Sequence, residues 1–397
     1  MYAKILIQMD NFSYNKTVIV LAFVFFAIVG VFLAFTYETT FSIVRTTASE
    51  IIPNAIKARG EERLKNPPHP IKGVYISAWT TTNSKKIDEI IKLINETELN
   101  GIVVDIKDYS GKLTYNVDVP LAKELGALDE IKIRDIDEFI KKFHKNNIYI
   151  IGRVQVFQDQ VFAKARPDIA IKELKTGKIW KDNKGLEWLD PSSRIVWGYA
   201  ADIAKDMANH GFDEVNFDYV RFPSDGDIEK LDFPFWDSVR PRYELISSFF
   251  SYLGGELKDV DISTSADLFG LASWRALDFS FDLNIGQRLV DALPYFDYVS
   301  PMVYPSHYPE NFNGIKNPSL KPYEIVSGSL RTWQELKATT TYRAELRPWL
   351  QDFDLNGIHY DKTKVRAQIR AVYDSGVESW LLWNSSSKYT RDALLAE

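Results

Sequence analysis

The chain has 397 residues, of which 45% are hydrophobic and 14% aromatic, enough for one large core with appended segments. Its 48 basic and 54 acidic residues give a net charge of −6, and no basic block is present, which argues against nucleic acid as a partner. The absence of cysteine excludes disulfides, thiolate metal sites and cysteine nucleophiles.

The N-terminal region contains an uninterrupted apolar segment at residues 17–36, TVIVLAFVFFAIVGVFLAFT. Its 20 residues match the roughly 20 that cross a bilayer as a helix. Lys4 and Lys16 precede it and Glu38 follows it, which favours a cytoplasmic segment 1–16 and an exported remainder. We therefore predict a single-pass anchor in the cytoplasmic membrane, with the rest of the chain outside the cytoplasm.

A cleaved signal peptide is the alternative interpretation of this segment. Its apolar region would usually be about 7–15 residues long and would end in a small-x-small site. Phe35-Thr36-Tyr37 lacks that pattern, which favours the uncleaved anchor. Residues 37–70 are mixed and charged and finish in Asn66-Pro-Pro-His-Pro70, a stiff extended sequence, so they are predicted to form a stalk.

The remaining residues, 71–397, alternate short apolar runs with helical patterns. Such alternation is typical of βα units around a parallel sheet. Eight runs predict a (β/α)8 TIM barrel, because an open doubly wound sheet usually has fewer strands and a glycine-rich first turn, which this chain lacks. The runs are 71–77, 101–107, 148–157, 213–220, 260–268, 298–304, 347–353 and 377–383. Helical patterns include one that Ser84 is predicted to cap, and others at 236–257, 319–338 and 362–375.

Two loops of the predicted barrel are long and rich in aromatic residues. One covers 159–191 with Trp180 and Trp188, and the other covers 222–237 with Trp236. Both follow strands on the face where barrel enzymes bind substrate. Their aromatic side chains either line a cleft or pack the loops onto the barrel, and the sequence leaves both possibilities open.

Polar side chains gather at the carboxyl ends of the predicted strands, which converge in a barrel. The set is dominated by carboxylates, neutral hydrogen-bonding groups and aromatic rings. This mixture suits a polysaccharide or oligosaccharide, because sugars stack on ring faces and their hydroxyls need donors and acceptors. The predicted substrate-binding residues are Asp105, Lys107, Arg153, Gln155, Arg221, Tyr304, His307, Gln351, Trp383 and Asn384.

Three aspartates are candidates for catalysis. Glycosidic cleavage needs one carboxylic acid to protonate the leaving oxygen and one carboxylate to attack or to activate water. Asp218 is predicted as nucleophile or electrostatic stabiliser, since Arg221 nearby favours its ionised form. Asp267 is predicted as the acid because its neighbours are apolar, and Asp352 is the reserve candidate. A purely structural Asp218–Arg221 ion pair is the alternative.

Other chemistries have less support in the sequence. The five histidines form no H-x-H or H-E-x-x-H pair, which argues against zinc catalysis, and no G-x-S-x-G elbow is present. We predict no cofactor and assign no metal site. A calcium site stays open, because scattered oxygen ligands leave no short signature. A lone histidine such as His307 is more often a hydrogen-bonded loop residue than a base.

Seven motifs within 73–397 resemble a bacterial family of putative glycosyl hydrolase domains, whose TIM barrel is distantly like that of the α-amylases. The motifs are GIVVDIKDYSG (101–111), WLDP (188–191), GFDEVNFDYVRFPSD (211–225), SADLFG (265–270), YVSPMVYPSHY (298–308), RPWLQDF (347–353) and WLLWN (380–384). The resemblance implies a carbohydrate-active barrel with the nucleophile on the fourth strand and the acid on the fifth, at Asp218 and Asp267. That outline usually has a glutamate as the acid and an arginine two residues before the nucleophile, where this chain has Asp267 and Asn216.

Two functions follow from these observations. The first is a membrane-anchored glycoside hydrolase that acts on a polysaccharide outside the cytoplasm through paired carboxylates. The second is a glycan-binding or cell-envelope scaffold protein that keeps the barrel and its aromatic cleft without turnover.

Overall fold

The computed structural model describes residues 63–339 and 341–396, which contain a closed barrel of eight parallel strands. The strands are β1 (Lys72–Ile76), β2 (Gly101–Lys107), β3 (Tyr149–Gln155), β4 (Glu214–Asp218), β5 (Ser263–Phe269), β6 (Tyr298–Met302), β7 (Trp349–Gln351) and β8 (Trp380–Trp383). All eight coincide with the predicted apolar runs. The predicted barrel is therefore confirmed.

The strand pairing is continuous around the barrel. Each strand from β1 to β6 pairs with the next, and β8 pairs with both β7 and β1. Between β6 and β7 the ladder is reduced to one residue pair, Met302 with Trp349, and a short strand at Glu345–Leu346 pairs with the beginning of β6. Closure leaves every barrel strand with a neighbour on both sides, as a β-barrel requires.

Helices alternate with the strands and cover the outside of the barrel. They are α1 (Ser84–Asn95), α2 (Pro120–Glu124), α3 (Ile136–His144), α4 (Gln160–Ala165), α5 (Arg194–Asn209), α6 (Arg242–Leu257), α7 (Gly270–Trp274), α8 (Leu289–Ala292), α9 (Pro322–Leu330), α10 (Trp333–Thr339) and α11 (Lys362–Asp374). Helix α1 buries Ile87, Ile90, Ile91 and Ile94, the apolar positions that recur at helical spacing.

Two helix boundaries differ from the predictions. Asn83, not Ser84, caps α1, because its side chain accepts a hydrogen bond from the Lys86 amide at 3.2 Å. The single helix predicted at 319–338 is two helices, α9 and α10. The Thr332 hydroxyl lies between them and donates to the Ser273 carbonyl at 3.3 Å.

The predicted anchor at 17–36 and the preceding segment 1–16 lie outside the described residues, as does the stalk before Arg63. Within 63–339 and 341–396, no helix is both long and apolar enough to cross a bilayer. The described end of the predicted stalk contacts the amino end of the barrel. The Arg63 guanidinium donates to the Asp213 carbonyl at 2.7 Å, and the Leu64 amide donates to the Asp213 carboxylate at 3.0 Å.

A fully buried ion pair fills the amino-terminal half of the barrel interior. Arg347, which precedes β7, binds both carboxylate oxygens of Glu214 on β4, with 2.9 Å between Nη1 and Oε2. Ser265 and Tyr149 donate to the same carboxylate, at 2.5 and 3.2 Å, and the guanidinium lies 4.2 Å from the centre of the Tyr298 ring. Because both charged side chains are fully buried, each depends on the other for compensation.

We predict that Arg347→Met destabilises the protein by about 3–5 kcal/mol, because it leaves the Glu214 carboxylate buried without its cation. Denaturant unfolding of the full chain measures this loss. Arg343→Met is the matched control, since Arg343 pairs with Asp297 near the surface, where an ion pair contributes at most about 1 kcal/mol. Equal losses in the two variants would contradict the role of the buried pair.

Candidate active site

Arg153 on β3 holds two carboxylates at the carboxyl end of the barrel. Its Nη1 donates to Asp105 Oδ1 on β2 at 2.6 Å, while Nε and Nη2 both donate to Asp218 Oδ2 at the end of β4, with 3.1 Å for the Nε contact. Burial lowers the pKa of Arg153, but the Asp218 and Asp105 carboxylates outweigh it and hold that pKa above its usual value. One permanent cation thus serves two buried anions.

Asp105 has a second partner that also lies inside the barrel. The Tyr75 hydroxyl on β1 donates to Asp105 Oδ2 at 2.5 Å. Burial raises the pKa of the Asp105 carboxyl, although Arg153 and Tyr75 oppose the rise. Both oxygens of Asp105 are therefore occupied by protein donors.

Asp267 on β5 is the third carboxyl group of the cluster. Its Oδ1 accepts hydrogen bonds from Asn216 Nδ2 at 2.8 Å and from the Trp349 indole at 2.9 Å. Its Oδ2 lies 3.9 Å from Arg153 Nε, the same nitrogen that contacts Asp218 Oδ2. Burial raises the pKa of Asp267 to about 8, and the neighbouring Asp218 carboxylate adds to the rise. The raised pKa favours the protonated form of this group, which faces the Arg153–Asp218 pair.

The backbone after Asp218 adopts an unusual conformation. Tyr219 has a φ of 55°, in the left-handed region that is uncommon for an aromatic residue. This turn places the Tyr219 amide 2.6 Å from Asp218 Oδ1, so the two carboxylate oxygens have separate donors. Such local strain persists where the surrounding structure compensates for it, and here it orients the Asp218 carboxylate.

Aromatic rings surround the charged cluster. Trp383 at the end of β8 stacks on Tyr75 with 3.9 Å between ring centroids, and it lies 5.1 Å from the Arg153 guanidinium. Burial raises the pKa of Tyr304 after β6, with the Asp267 and Asp218 carboxylates adding to the rise. Tyr304 therefore remains a neutral hydroxyl near both groups.

Two predicted site residues, Lys107 and Arg221, have their main contacts outside this cluster. The β2 register shifts between Asp105 and Lys107, and the Lys107 ammonium binds Asp159 at 2.7 Å, with both groups buried. The Arg221 guanidinium lies over the Trp188 ring at 4.8 Å and donates to the Phe222 carbonyl. Among the described ion pairs, the cation on Asp218 is therefore Arg153, and the expected Asp218–Arg221 pair is not found.

Three other predicted residues brace the loops. Gln351 accepts from the Ser306 amide at 3.1 Å and donates to the Phe353 carbonyl at 2.9 Å. The Asp352 carboxylate accepts from the amide and the hydroxyl of Thr390, at 2.8 and 2.7 Å. Asn384 donates to the Asp352 carbonyl at 2.5 Å. The reserve candidate Asp352 is thus held by the β8 loop rather than by Arg153.

Gln155 and His307 differ from these bracing residues. Gln155 at the end of β3 pairs in register with Asp218, and its buried Oε1 has no hydrogen-bond partner. That carbonyl oxygen is available to a ligand hydroxyl. The His307 ring contacts the rings of Tyr304 and Phe353, with centroids 5.3 and 5.9 Å apart, in the loop beyond β6.

The two long aromatic loops are joined to each other. Strand Lys172–Glu173 from the first loop pairs antiparallel with Leu231–Asp232 from the second. Asp190 in the first loop also accepts hydrogen bonds from the amides of Phe235 and Trp236, at 2.7 and 3.1 Å. Within the first loop, Trp180 and Trp188 are buried. These two tryptophans therefore pack the loop onto the barrel.

The site residues predicted from the sequence did not include Tyr75 and Trp349, which donate hydrogen bonds to Asp105 and Asp267. Both lie inside the barrel at positions that strand alternation would indicate, since Trp349 precedes Gln351 by two residues on the same face of β7. Asn216 was noted only as the residue that replaces the arginine of the family outline, and it was given no role. The missing information was the stagger between strands, which brings Trp349 from β7 to Asp267 on β5.

Two cavities among the described residues are lined by residues outside this cluster. One of about 460 Å³ is lined by residues of the β7 and β8 loops, including Phe353 and Asn384. Another of about 530 Å³, lined by Glu345 and Ser379 among others, adjoins the starts of the last strands. In the described part of the chain, no group of three or more acidic or histidine side chains is arranged to hold a metal ion.

The raised pKa of Asp267 predicts a pH dependence of stability. Between its usual pKa of 3.8 and about 8, Asp267 binds a proton in the folded chain and not in the unfolded chain. The contribution of Asp267 to the free energy of unfolding is therefore fully present at low pH. It decreases as pH rises towards 8, by up to about 1.4 kcal/mol per pH unit. Denaturant unfolding at several pH values should show wild type losing stability relative to Asp267→Asn. Parallel pH curves for the two proteins would contradict the buried, protonated state.

Several solved structures are similar to this chain. A hypothetical protein from Ruminiclostridium thermocellum ATCC 27405 is 36% identical, covering 48% of this chain and 96% of its own, with a TM-score of 0.44. The glycoside hydrolase domain of PgaB (BpsB) from Bordetella bronchiseptica is 13% identical, covering 80% of this chain and 95% of its own, with a TM-score of 0.55. α-L-Fucosidase isoenzyme 2 from Paenibacillus thiaminolyticus is 12% identical, covering 81% and 48% respectively, with a TM-score of 0.54.

The last two similarities concern the fold, because identity is low. No curated protein matches the chain. The profile of one family, described as "putative glycosyl hydrolase domain", matches residues 73–389, which include all the barrel strands except Lys72, the first residue of β1. The chain therefore belongs to this family of glycosyl hydrolase domains.

Proposed function

We propose that the protein is a glycoside hydrolase that cleaves O-glycosidic bonds of a polysaccharide with Asp218 and Asp267. The observation that carries the proposal is the pairing of two carboxyl groups around Arg153 Nε, with Asp218 Oδ2 at 3.1 Å and Asp267 Oδ2 at 3.9 Å. Their environments differ as paired-carboxylate catalysis requires, because Asp218 contacts a cation and Asp267 is held neutral by burial. Membership of the glycosyl hydrolase family supports the same reaction class.

The proposed reaction assigns one role to each carboxyl group. The Asp267 O–H bond breaks and its proton passes to the glycosidic oxygen, while the bond between that oxygen and the anomeric carbon breaks. Asp218, as carboxylate, stabilises the positive charge at the anomeric carbon or bonds to it. Water then adds to the anomeric carbon, any bond between Asp218 and that carbon breaks, and the proton lost by the water passes to Asp267, which restores the acid. The Arg153 contacts keep Asp218 in place through these steps.

Three neighbours of the carboxyl pair are proposed as substrate contacts. Trp383 offers a ring for a sugar face, Tyr304 offers a neutral hydroxyl, and Gln155 offers an unpaired carbonyl oxygen. None of these groups requires a metal ion or an organic cofactor for the proposed reaction. Asp105 is proposed to act indirectly. Its two oxygens accept hydrogen bonds from Tyr75 and Arg153, and the second of these bonds helps to hold Arg153 in place.

Reducing-end release from a panel of bacterial and plant polysaccharides tests the activity. We predict that Asp218→Asn lowers kcat by more than about 10³-fold on every substrate that wild type cleaves. Asp267→Asn should lose about 10²- to 10⁴-fold on polysaccharide but much less on a nitrophenyl glycoside of the same sugar, because that leaving group needs no proton. Asp352→Asn is the comparison variant and should retain activity, since Asp352 contacts Thr390.

The outcomes of this experiment separate the candidate functions. Activity that survives in folded Asp218→Asn would remove Asp218 from the mechanism. Loss of activity in Asp352→Asn, with activity retained in Asp267→Asn, would indicate that Asp352 in the loop after β7 has the second catalytic role. Wild-type binding of a glycan without any reducing-end release would favour the glycan-binding protein instead.

We further propose that residues 17–36 anchor the chain in the cytoplasmic membrane and that the barrel lies outside the cytoplasm. The 20-residue apolar segment and the lysines before it support this proposal. In bacterial cells that produce the full chain, we predict that it sediments with membranes and that external protease degrades the barrel in intact spheroplasts. A cytoplasmic marker protein should survive the same treatment. Protection of the barrel until the cells are lysed would contradict the predicted orientation.

A further inference from the structure

We propose that the barrel interior fixes the proton of Asp267 on Oδ2 through two positioning residues, Trp349 and an Asn216 amide that Ser265 and Glu214 orient. This inference deepens the proposed function and rests on it for the use of the proton. The position of the proton itself follows from hydrogen-bond directions around Asp267, one contact at a time.

The first constraint begins at Glu214, one layer below the candidate active site. Both oxygens of the Glu214 carboxylate are bound by Arg347, so Glu214 acts as an acceptor. The Ser265 hydroxyl lies 2.5 Å from Glu214 Oε1 and must donate its only proton there. Ser265 Oγ can then only accept a hydrogen bond from Asn216, which lies closer to the candidate active site.

The second constraint fixes the amide of Asn216. Since Ser265 Oγ can only accept from that side, the Asn216 atom at 3.0 Å must be the donor Nδ2 rather than Oδ1. The same Nδ2 lies 2.8 Å from Asp267 Oδ1 and donates its second proton there. Glu214, through Ser265, thus determines which end of the Asn216 amide faces the acid.

The third constraint is independent of the first two. Trp349 has an indole N–H that can only donate, and it lies 2.9 Å from the same Asp267 Oδ1. Oδ1 therefore accepts two hydrogen bonds and is the carbonyl oxygen of the acid. Within 63–339 and 341–396, Oδ2 has no hydrogen bond, and its nearest recorded charged atom is Arg153 Nε at 3.9 Å. The proton belongs on Oδ2, on the side of Asp218.

The titratable groups that face Asp267 are consistent with this placement. Arg153 on β3 and Asp218 on β4 lie on the Oδ2 side, and Tyr304 after β6 is electrostatically coupled to Asp267. Asp105 on β2 acts through Arg153. An O–H at Oδ2 therefore lies on the side of the acid that faces Arg153 Nε, the nitrogen that also contacts Asp218.

Infrared spectroscopy of the full chain at about pH 6 tests the proton position without any substrate. The difference between the spectra of wild type and Asp267→Asn should show one protonated-carboxyl C=O stretch that belongs to wild type, since exposed Asp and Glu are largely ionised at that pH and the other buried carboxyl groups are common to both proteins. Trp349→Phe removes one hydrogen bond from the C=O oxygen and should move this band to higher frequency. Because the lost donor also favoured the ionised form, the pKa read from the band should rise by about one unit.

A matched variant and a second substitution make the result decisive. Trp380→Phe changes another buried barrel tryptophan, whose indole donates to Tyr373, and should leave the band unmoved. Ser265→Ala frees the Asn216 amide to rotate and should move the band in the same direction as Trp349→Phe, so it serves as the test if Trp349→Phe does not fold. A wild-type protein without the band, or a band that neither folded variant moves, would overturn the inference.

The experiment also distinguishes this inference from the proposed function. A band that behaves as expected in a chain with no glycosidase activity would reject the hydrolase and leave the proton position standing. Activity that depends on Asp218 and Asp267, together with an unmoved band, would reject only the positioning role of Asn216 and Trp349.

Discussion

The Arg153 guanidinium is the cation around which three carboxyl groups gather at the carboxyl end of the barrel. It binds Asp105 and Asp218 directly and lies within 3.9 Å of Asp267. Two carboxyl groups already share its single charge, so an ionised third group beside them would be disfavoured. Burial raises the pKa of Asp267, and the Asp218 carboxylate beside the same guanidinium adds to the rise, although Arg153 itself opposes it.

Much of the fold and part of the site follow from local sequence patterns. The eight strands were predictable because each is a short apolar run bounded by polar residues, and parallel strands buried on both faces have that composition. Asp105, Arg153, Asp218 and Asp267 were identified as site residues because they lie towards the carboxyl ends of the predicted strands, which converge in a barrel. These four form the observed cluster.

The partners of these residues were less predictable. Arg221 is three residues from Asp218, but Tyr219 enters the left-handed region and the Arg221 guanidinium then lies over aromatic rings. Arg153, 65 positions away in sequence, takes its place. Strand alternation predicts that Lys107 lies on the same face of β2 as Asp105. The register of β2 shifts between these two residues, and the Lys107 ammonium binds Asp159 instead. Turns, bulges and stagger are properties of neighbouring strands, and no single segment encodes them.

The pairing of Lys172–Glu173 with Leu231–Asp232, together with the Asp190 contacts to Phe235 and Trp236, has a consequence for how the mouth of the barrel can vary. The loops after β3 and β4 share backbone hydrogen bonds, so an insertion or deletion in one would leave donors and acceptors of the other unpaired. Loops on barrel enzymes usually diversify one at a time. In this protein the two loops form a single exchangeable unit, and a chimera would have to carry both from the same parent.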